Sequence, residues 1–64
     1  MIYKTKFYIV DLDTRRVDMS RAYRTFSEAT DAERARGLTR RYTALRGSHI
    51  LQNLHVWIVG EETK

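Results

Sequence analysis

The sequence predicts a small α+β domain of ββαβ order, in which one helix packs on one face of a three-stranded antiparallel sheet. Two runs rich in β-branched and aromatic residues lie near the two ends of the chain, and a helix-capping pattern lies between them. A domain of 64 residues buries only roughly 60% of the surface that its unfolded chain exposes. We therefore expect residues 1–64 to form a single small binding domain with a marginal core.

The first two strands are predicted as a hairpin. Residues 3–12 (YKTKFYIVDL) place apolar side chains on both alternating faces, as a central strand does. The polar residues 13–16 fit a tight turn, and residues 17–24 predict a weaker second strand.

A capping box predicts the start of the helix, because the Thr25 hydroxyl can accept from the Glu28 amide while the Glu28 carboxylate reaches back to the Thr25 amide. Apolar residues follow at spacings of three or four and end before Gly47, which suits a left-handed C-cap. Gly37 inside this stripe costs about 1 kcal/mol relative to alanine, so the helix either continues past it or breaks there. The stripe consists of Ala29, Ala32, Ala35, Leu38, Tyr42 and Leu45.

The run ILQNLHVWIV, residues 50–59, predicts the third strand. A right-handed helical crossover after a hairpin places this strand beside the first, which gives the order 2-1-3 with antiparallel neighbours. Leu54, Val56 and Ile58 share one face of the predicted strand, and we expect that aliphatic face to meet the helix. The opposite face of the sheet is then left uncovered.

The uncovered sheet face is the first candidate for a partner-binding surface. Alternation places Tyr8, Val10, His55 and Trp57 there, and an exposed apolar patch of this kind usually marks an interface. Three interpretations stay open: partner binding, dimerisation, or an inverted alternation in which Trp57 anchors the core. The candidate binding residues on this face are Tyr8, His55 and Trp57.

The arginines form the second candidate surface. Twelve Lys and Arg residues against eight Asp and Glu give a net charge of +4, and nine of the twelve are arginine, which favours acidic partners. Residues 34–60 hold five arginines and no acidic residue. One interpretation is a helix face for phosphates or an acidic protein surface, and the other is complementation of the helix dipole. The candidate binding residues here are Arg34, Arg36, Arg40 and Arg41.

The sequence argues against an enzyme. The segment DLDT, residues 11–14, is similar to the first motif of haloacid-dehalogenase phosphatases, but its threonine stands one position early and a hairpin turn explains it. His49 and His55 are too far apart in an extended strand to chelate one ion, and the sequence has no cysteine. We predict no catalytic residue, no cofactor and no metal.

No apolar run approaches the roughly 20 residues that cross a bilayer, and the N-terminus lacks the layout of a signal peptide. We therefore predict a protein that makes no membrane contact. Its expected location is the cytoplasm, that of a bacterial host if the protein is of phage origin.

The length, the ββαβ order and the junction YRTFSEA, residues 23–29, resemble small phage-encoded host-takeover proteins. The resemblance implies a protein that binds one host protein and blocks it, and it assigns no residue. The leading prediction is a phage-type inhibitor that occludes an acidic host surface stoichiometrically through its arginine-bearing helix and aromatic sheet face. The alternative is a nucleic-acid-binding accessory protein, with the aromatic face stacking on bases and the arginines on phosphates. A self-associating structural subunit, such as a homodimer, is the third class.

Overall fold

The computed structural model describes residues 2–37 and 40–59. It contains five elements in chain order, which are β1 (Phe7–Asp11), β2 (Arg16–Val17), α1 (Phe26–Ala35), β3 (Tyr42–Arg46) and α2 (Gly47–Gln52).

The predicted sheet is confirmed. Its three strands have the order β2-β1-β3, and both neighbouring pairs are antiparallel. Val10 of the central strand lies opposite Val17 of β2 and Thr43 of β3. With helices connecting and following the strands, the chain is a small α+β fold.

The first two strands are shorter than predicted. β2 has only two residues, because the Asp18 carboxylate accepts hydrogen bonds from the Ser20 amide (2.9 Å) and hydroxyl (2.6 Å) and turns the chain away from the sheet. Further along the chain, Tyr23 returns to make an isolated antiparallel bridge with Phe7.

The predicted start of the helix is confirmed. Thr25 is the N-cap, and its hydroxyl oxygen accepts a hydrogen bond from the Glu28 amide at 3.1 Å. The Glu28 carboxylate accepts from the backbone N–H of Arg24 (3.3 Å), one residue before the position that a capping box would use.

Replacing Thr25 with alanine should lower the free energy of unfolding by about 1 kcal/mol, because the amide of Glu28 loses its side-chain partner. Chemical denaturation followed by circular dichroism measures this loss. Ser27→Ala is the matched control, since Ser27 is an exposed residue of the same turn, and it should change stability by less than about 0.5 kcal/mol. Equal stability of the two variants would contradict the cap.

A continuous helix through Leu45 was the wrong alternative, because α1 ends at Ala35. Gly37 has a φ of 121°, a left-handed value that glycine adopts without strain, and its amide donates to the Arg34 carbonyl at 3.0 Å. Leu38, which belongs to the predicted stripe, lies outside the described residues.

The third strand lies at Tyr42–Arg46, so its predicted position at residues 50–59 was wrong. Tyr42 and Leu45 fit a helical spacing, but once Gly37 has ended the helix they are free to pair with β1. Leu45 then lies opposite Tyr8. The first residues of the run that we expected to be a strand belong instead to α2.

Gly47 is not the left-handed cap of a long helix, as predicted, but the first residue of α2. A Cβ atom at this position would lie 2.0 Å from the backbone oxygen of Tyr3. The glycine therefore allows the N-terminal segment to cross β3 and α2 at backbone contact distance.

At the central strand β1, both faces of the sheet are covered by other parts of the chain. The α1 face, which carries Phe7, Ile9 and Asp11 of β1, lies against α1, whose buried residue is Ala29. The opposite face, called here the Trp57 face, holds the main apolar core. That core consists of Ile2, Tyr8, Val10, Val17, Ile50 and Trp57.

The predicted uncovered face was therefore wrong, and so was the placement of Trp57 and Tyr8 on it. Trp57 is 9% exposed and Tyr8 is 1% exposed. The cause is the position of Ile58, which makes a parallel bridge with Arg16 at the edge of β2. Residues paired in this way share a face, so Ile58 lies on the α1 face and Trp57 points into the core.

Candidate partner-binding surfaces

The predicted arginine face of a single helix is not formed, because α1 ends before most of its members. Arg34 is exposed in the last turn of α1, and Arg36 is the C-cap residue. Arg40 and Arg41 are exposed in the segment that leads into β3. The helix-dipole interpretation applies only to Arg34, the basic residue in the last turn.

Two of these arginines form ion pairs with aspartates of the hairpin. Arg36 pairs with Asp18, and Arg41 binds the Asp11 carboxylate through Nε (3.0 Å to Oδ2) and Nη2 (2.8 Å to Oδ2). Both guanidinium groups also lie near the ring of Tyr42, at 5.2 Å and 5.5 Å from its centroid. We call this group of five residues the Asp–Arg network.

The electrostatics of the Asp–Arg network keep both carboxylates charged. The hydrogen bond from Arg41 lowers the pKa of Asp11. Burial by itself would raise the pKa of Asp18, but hydrogen bonds from Ser20 and Arg36 outweigh it and hold that pKa below its ordinary value. Arg36 and Arg41 thus have counter-charges within the protein, which leaves them less available to an external phosphate or carboxylate.

The DLDT segment has a local structural role, as the hairpin-turn interpretation predicts. One oxygen of Asp11 accepts from the amides of Asp13 (2.9 Å) and Thr14 (3.3 Å). The same carboxylate binds Arg41, so its acceptor positions serve the turn and the ion pair.

The remaining predicted site residues differ in burial, since Tyr8 and Trp57 are buried whereas His55 is exposed. Tyr8 accepts a hydrogen bond from the Tyr3 amide through its hydroxyl oxygen (2.8 Å), as expected of a buried tyrosine. Trp57 lies in the core, and its indole Nε1 has no hydrogen-bond partner among residues 2–37 and 40–59. Only His55 of the predicted aromatic face is exposed.

The first exposed apolar surface is one that we expected to be core. Leu54, Val56 and Ile58 are 50%, 36% and 47% exposed, and we call them the apolar strip. Ile58 donates its N–H to the Arg15 carbonyl (2.7 Å) and accepts from the Val17 amide (3.0 Å). Ile58 is thereby fixed to the edge of the sheet, whereas Leu54 and Val56 lie in the preceding turn, where the Val56 amide donates to the Asn53 carbonyl at 2.8 Å.

Two arginines lie beside the apolar strip, Arg15 at the end of the hairpin turn and Arg16 at the start of β2. Arg15 has a φ of 62°, an uncommon left-handed conformation for a residue with a side chain. Its guanidinium lies 5.5 Å from the centroid of the Trp57 ring. Arg16 is exposed and lies opposite Ile58, so a basic side chain borders the strip.

A second surface lies around the N-terminal end of β1. It consists of the exposed residues Phe26, Arg21 and Arg46 and of the half-buried rings of Phe7 and Tyr23. Phe7 lies between Tyr23 and Arg46 across the sheet, and Phe26 meets it edge-on with ring centroids 5.8 Å apart. Arg21 lies 5.0 Å from the Tyr23 ring, and Arg46 lies 5.5 Å from the Phe7 ring. We call this surface the aromatic–arginine cluster.

Sequence reasoning missed this cluster because its members come from four separate segments. The helical spacing that we expected for residues 42–45 kept Arg46 away from β1. The basic and aromatic composition of residues 21–26 was the one available indication.

Within residues 2–37 and 40–59, no three His, Cys, Asp or Glu side chains are grouped closely enough to hold a metal ion. The same residues include no helix with the length and apolar character needed to cross a membrane.

Comparisons of this chain with protein-family models, with curated proteins and with solved structures give no match. The class defined by the structure is therefore that of a small α+β domain with a three-stranded antiparallel sheet.

Proposed function

We propose that this protein is a non-enzymatic, phage-type binding protein that inhibits or modulates a host protein by covering part of its surface. The observation that supports the proposal is the apolar strip, where three large aliphatic side chains of one short segment stand exposed. An exposed apolar group of this kind is a common mark of a protein interface.

The construction of the strip favours binding without a large rearrangement. Its backbone is hydrogen-bonded to the edge of the sheet at Ile58, and the neighbouring Trp57 is a core residue. Little conformational entropy is lost when a surface of this kind is covered, so more of the contact energy contributes to affinity.

Charge indicates the kind of host surface. The chain has a net charge of +4, and Arg16 borders Ile58 on the open part of the α1 face. A partner with an apolar centre and an acidic margin complements both features, since opposite charges at the rim steer association.

The strip is tested with the double variant Val56→Ser, Ile58→Ser. Because both side chains are exposed, the variant should stay folded but lose at least about 2 kcal/mol of binding free energy, as for centrally placed interface residues. Immobilised wild-type protein and variant are incubated with nuclease-treated bacterial lysate. The captured target is then purified and titrated calorimetrically, with an expected 1:1 stoichiometry for the wild type.

His55→Ser is the matched control, since His55 is an exposed residue of the same segment but not part of the strip. Equal capture by wild type and double variant would refute the proposal, and so would loss of the target on nuclease treatment. Sedimentation equilibrium of the wild type should show a monomer. A stable dimer that the double variant dissociates would identify the strip as a self-association surface instead.

A further inference from the structure

We infer that the aromatic–arginine cluster is a second binding surface, separate from the apolar strip, and that it takes single-stranded nucleic acid. The inference does not depend on the proposed function, because it concerns different residues and a different ligand. It rests on the exposure of one aromatic ring, on the local charge and on the arrangement of the neighbouring rings.

Phe26 supplies the open ring. It is 57% exposed at the first position of α1, and its contact with Phe7 is edge-to-face at an interplanar angle of 64°. Such a contact supports the ring along one side and leaves a ring face available. Bases of every type stack on an exposed aromatic face, and single strands present their bases for stacking in a way that a duplex does not.

The other two rings of the cluster hold cations in place. Arg21 lies over Tyr23 and Arg46 over Phe7, both within the range of cation–π attraction. These guanidinium groups are exposed and are positioned by the rings without losing their charge. They are thereby held over two rings of the same cluster, where they can meet phosphates of a bound strand.

The charge around the cluster is almost entirely positive. Arg21, Arg24 and Arg46 have no carboxylate within ion-pair distance among the residues that the structure describes. Two acidic residues are close in sequence, and both are engaged: the Glu28 carboxylate accepts from the Arg24 backbone, and Asp18, three positions before Arg21, pairs with Arg36. In the Asp–Arg network, by contrast, each arginine has an aspartate partner. Lys4 and Lys6, which precede Phe7, add to the positive charge.

An acidic protein segment would also be attracted by these cations, but it would have no use for the open face of Phe26. A base with its phosphate uses both features. The combination of a stacking ring with arginines that have no carboxylate partner in the described part of the chain therefore favours a nucleic-acid strand over an acidic peptide.

The test measures fluorescence anisotropy of a fluorescein-labelled oligothymidylate of about ten nucleotides, a length within the site sizes of single-strand binders. Wild-type protein is titrated at several salt concentrations. We expect binding that weakens with salt, with a log–log slope of roughly 0.7 for each phosphate contacted. Absence of binding at low salt would overturn the inference.

Two kinds of variant separate stacking from charge. Phe26→Ala should weaken binding by roughly 5- to 150-fold with an unchanged salt slope, because it removes one stacked base. Phe26→Leu, which keeps an apolar side chain and protects the fold, should weaken binding similarly. The double variant Arg21→Gln, Arg46→Gln should reduce the salt slope by about 1.4.

The matched control removes the same charge elsewhere. Arg34 lies near the other end of α1, and Arg40 precedes β3, so Arg34→Gln, Arg40→Gln should leave the salt slope close to that of the wild type. An equal loss from the control pair would show nonspecific attraction and contradict the inference. Equal affinity for an abasic strand, or displacement of the oligonucleotide by polyglutamate at the same charge concentration, would indicate an acidic protein partner and overturn it as well.

Discussion

Replacing Trp57 with alanine is expected to unfold most of the protein. The indole belongs to the main core, in contact with a cluster that includes Tyr8, Val17 and Ile50, and Trp→Ala changes in cores cost about 3–5 kcal/mol. Domains below about 70 residues rarely have more than about 3–5 kcal/mol of stability in reserve. Far-UV circular dichroism of the variant should therefore show a largely unfolded chain at room temperature.

The wild-type fluorescence gives an independent measure of the same burial, since Trp57 is the only tryptophan. Its emission should be blue-shifted and resistant to iodide quenching in the monomer. Trp57→Phe should remain folded with a smaller loss of stability, because it keeps most of the apolar contact and removes an indole N–H that has no partner in the described part of the chain. Red-shifted emission together with a Trp57→Ala variant as stable as His55→Ala would contradict the core position.

Features that depend on neighbouring residues were predictable from the sequence. Thr25 and Glu28 lie three positions apart, so their hydrogen bond follows from local chain geometry. The strand order β2-β1-β3 was also correct, although the third strand was misplaced. The expected position beside β1 falls to whichever strand follows the helix, and β3 occupies it in place of residues 50–59.

The end of α1 was not predictable from periodicity, because Tyr42 and Leu45 suit either a helix or a strand. What separates the two is a tertiary contact, the pairing of these residues with β1. Gly37 offered a local indication, but a glycine within a helical pattern costs only about 1 kcal/mol and does not by itself end the helix.

The inward face of residues 54–58 was not predictable for a similar reason. The alternation itself is present at Val56, Trp57 and Ile58, with the two aliphatic side chains exposed and the indole buried. Which side faces the core depends on where Ile58 attaches to the sheet. It attaches beyond β2 and not beside β1, and nothing in the local sequence specifies that edge.

The ion pairs of the candidate arginines were not predictable from the sequence either, because they also depend on tertiary contacts. Asp11 and Arg41 are 30 positions apart in the chain, and the ion pair forms only because β1 and β3 are neighbours in register. Counting charges along the sequence gave the correct net charge but could not separate arginines with an internal partner from arginines open to a ligand.

Gly47→Ala is expected to have the second-largest effect, and the sign of that effect is diagnostic. In an ordinary helical position, alanine is more favourable than glycine by about 1 kcal/mol. Here the added Cβ would lie 2.0 Å from the Tyr3 oxygen and 2.8 Å from the Tyr3 carbonyl carbon. These are backbone atoms that cannot rotate away, so the N-terminal segment has to move.

That movement breaks contacts that attach the segment to the domain. The amide of Gly47 donates to the Lys6 carbonyl (2.7 Å), that of Ser48 to the Lys4 carbonyl (3.3 Å), and Ile2 belongs to the core.

We expect Gly47→Ala to lower the free energy of unfolding by about 1–3 kcal/mol, the usual cost of an overpacked contact. In ¹⁵N correlation spectra, the amide shifts should change most at residues 2–6. Ser48→Ala, the control in the same turn, should change stability by less than about 0.5 kcal/mol. A stabilised Gly47→Ala variant would show that the N-terminal segment does not cross α2 at this distance.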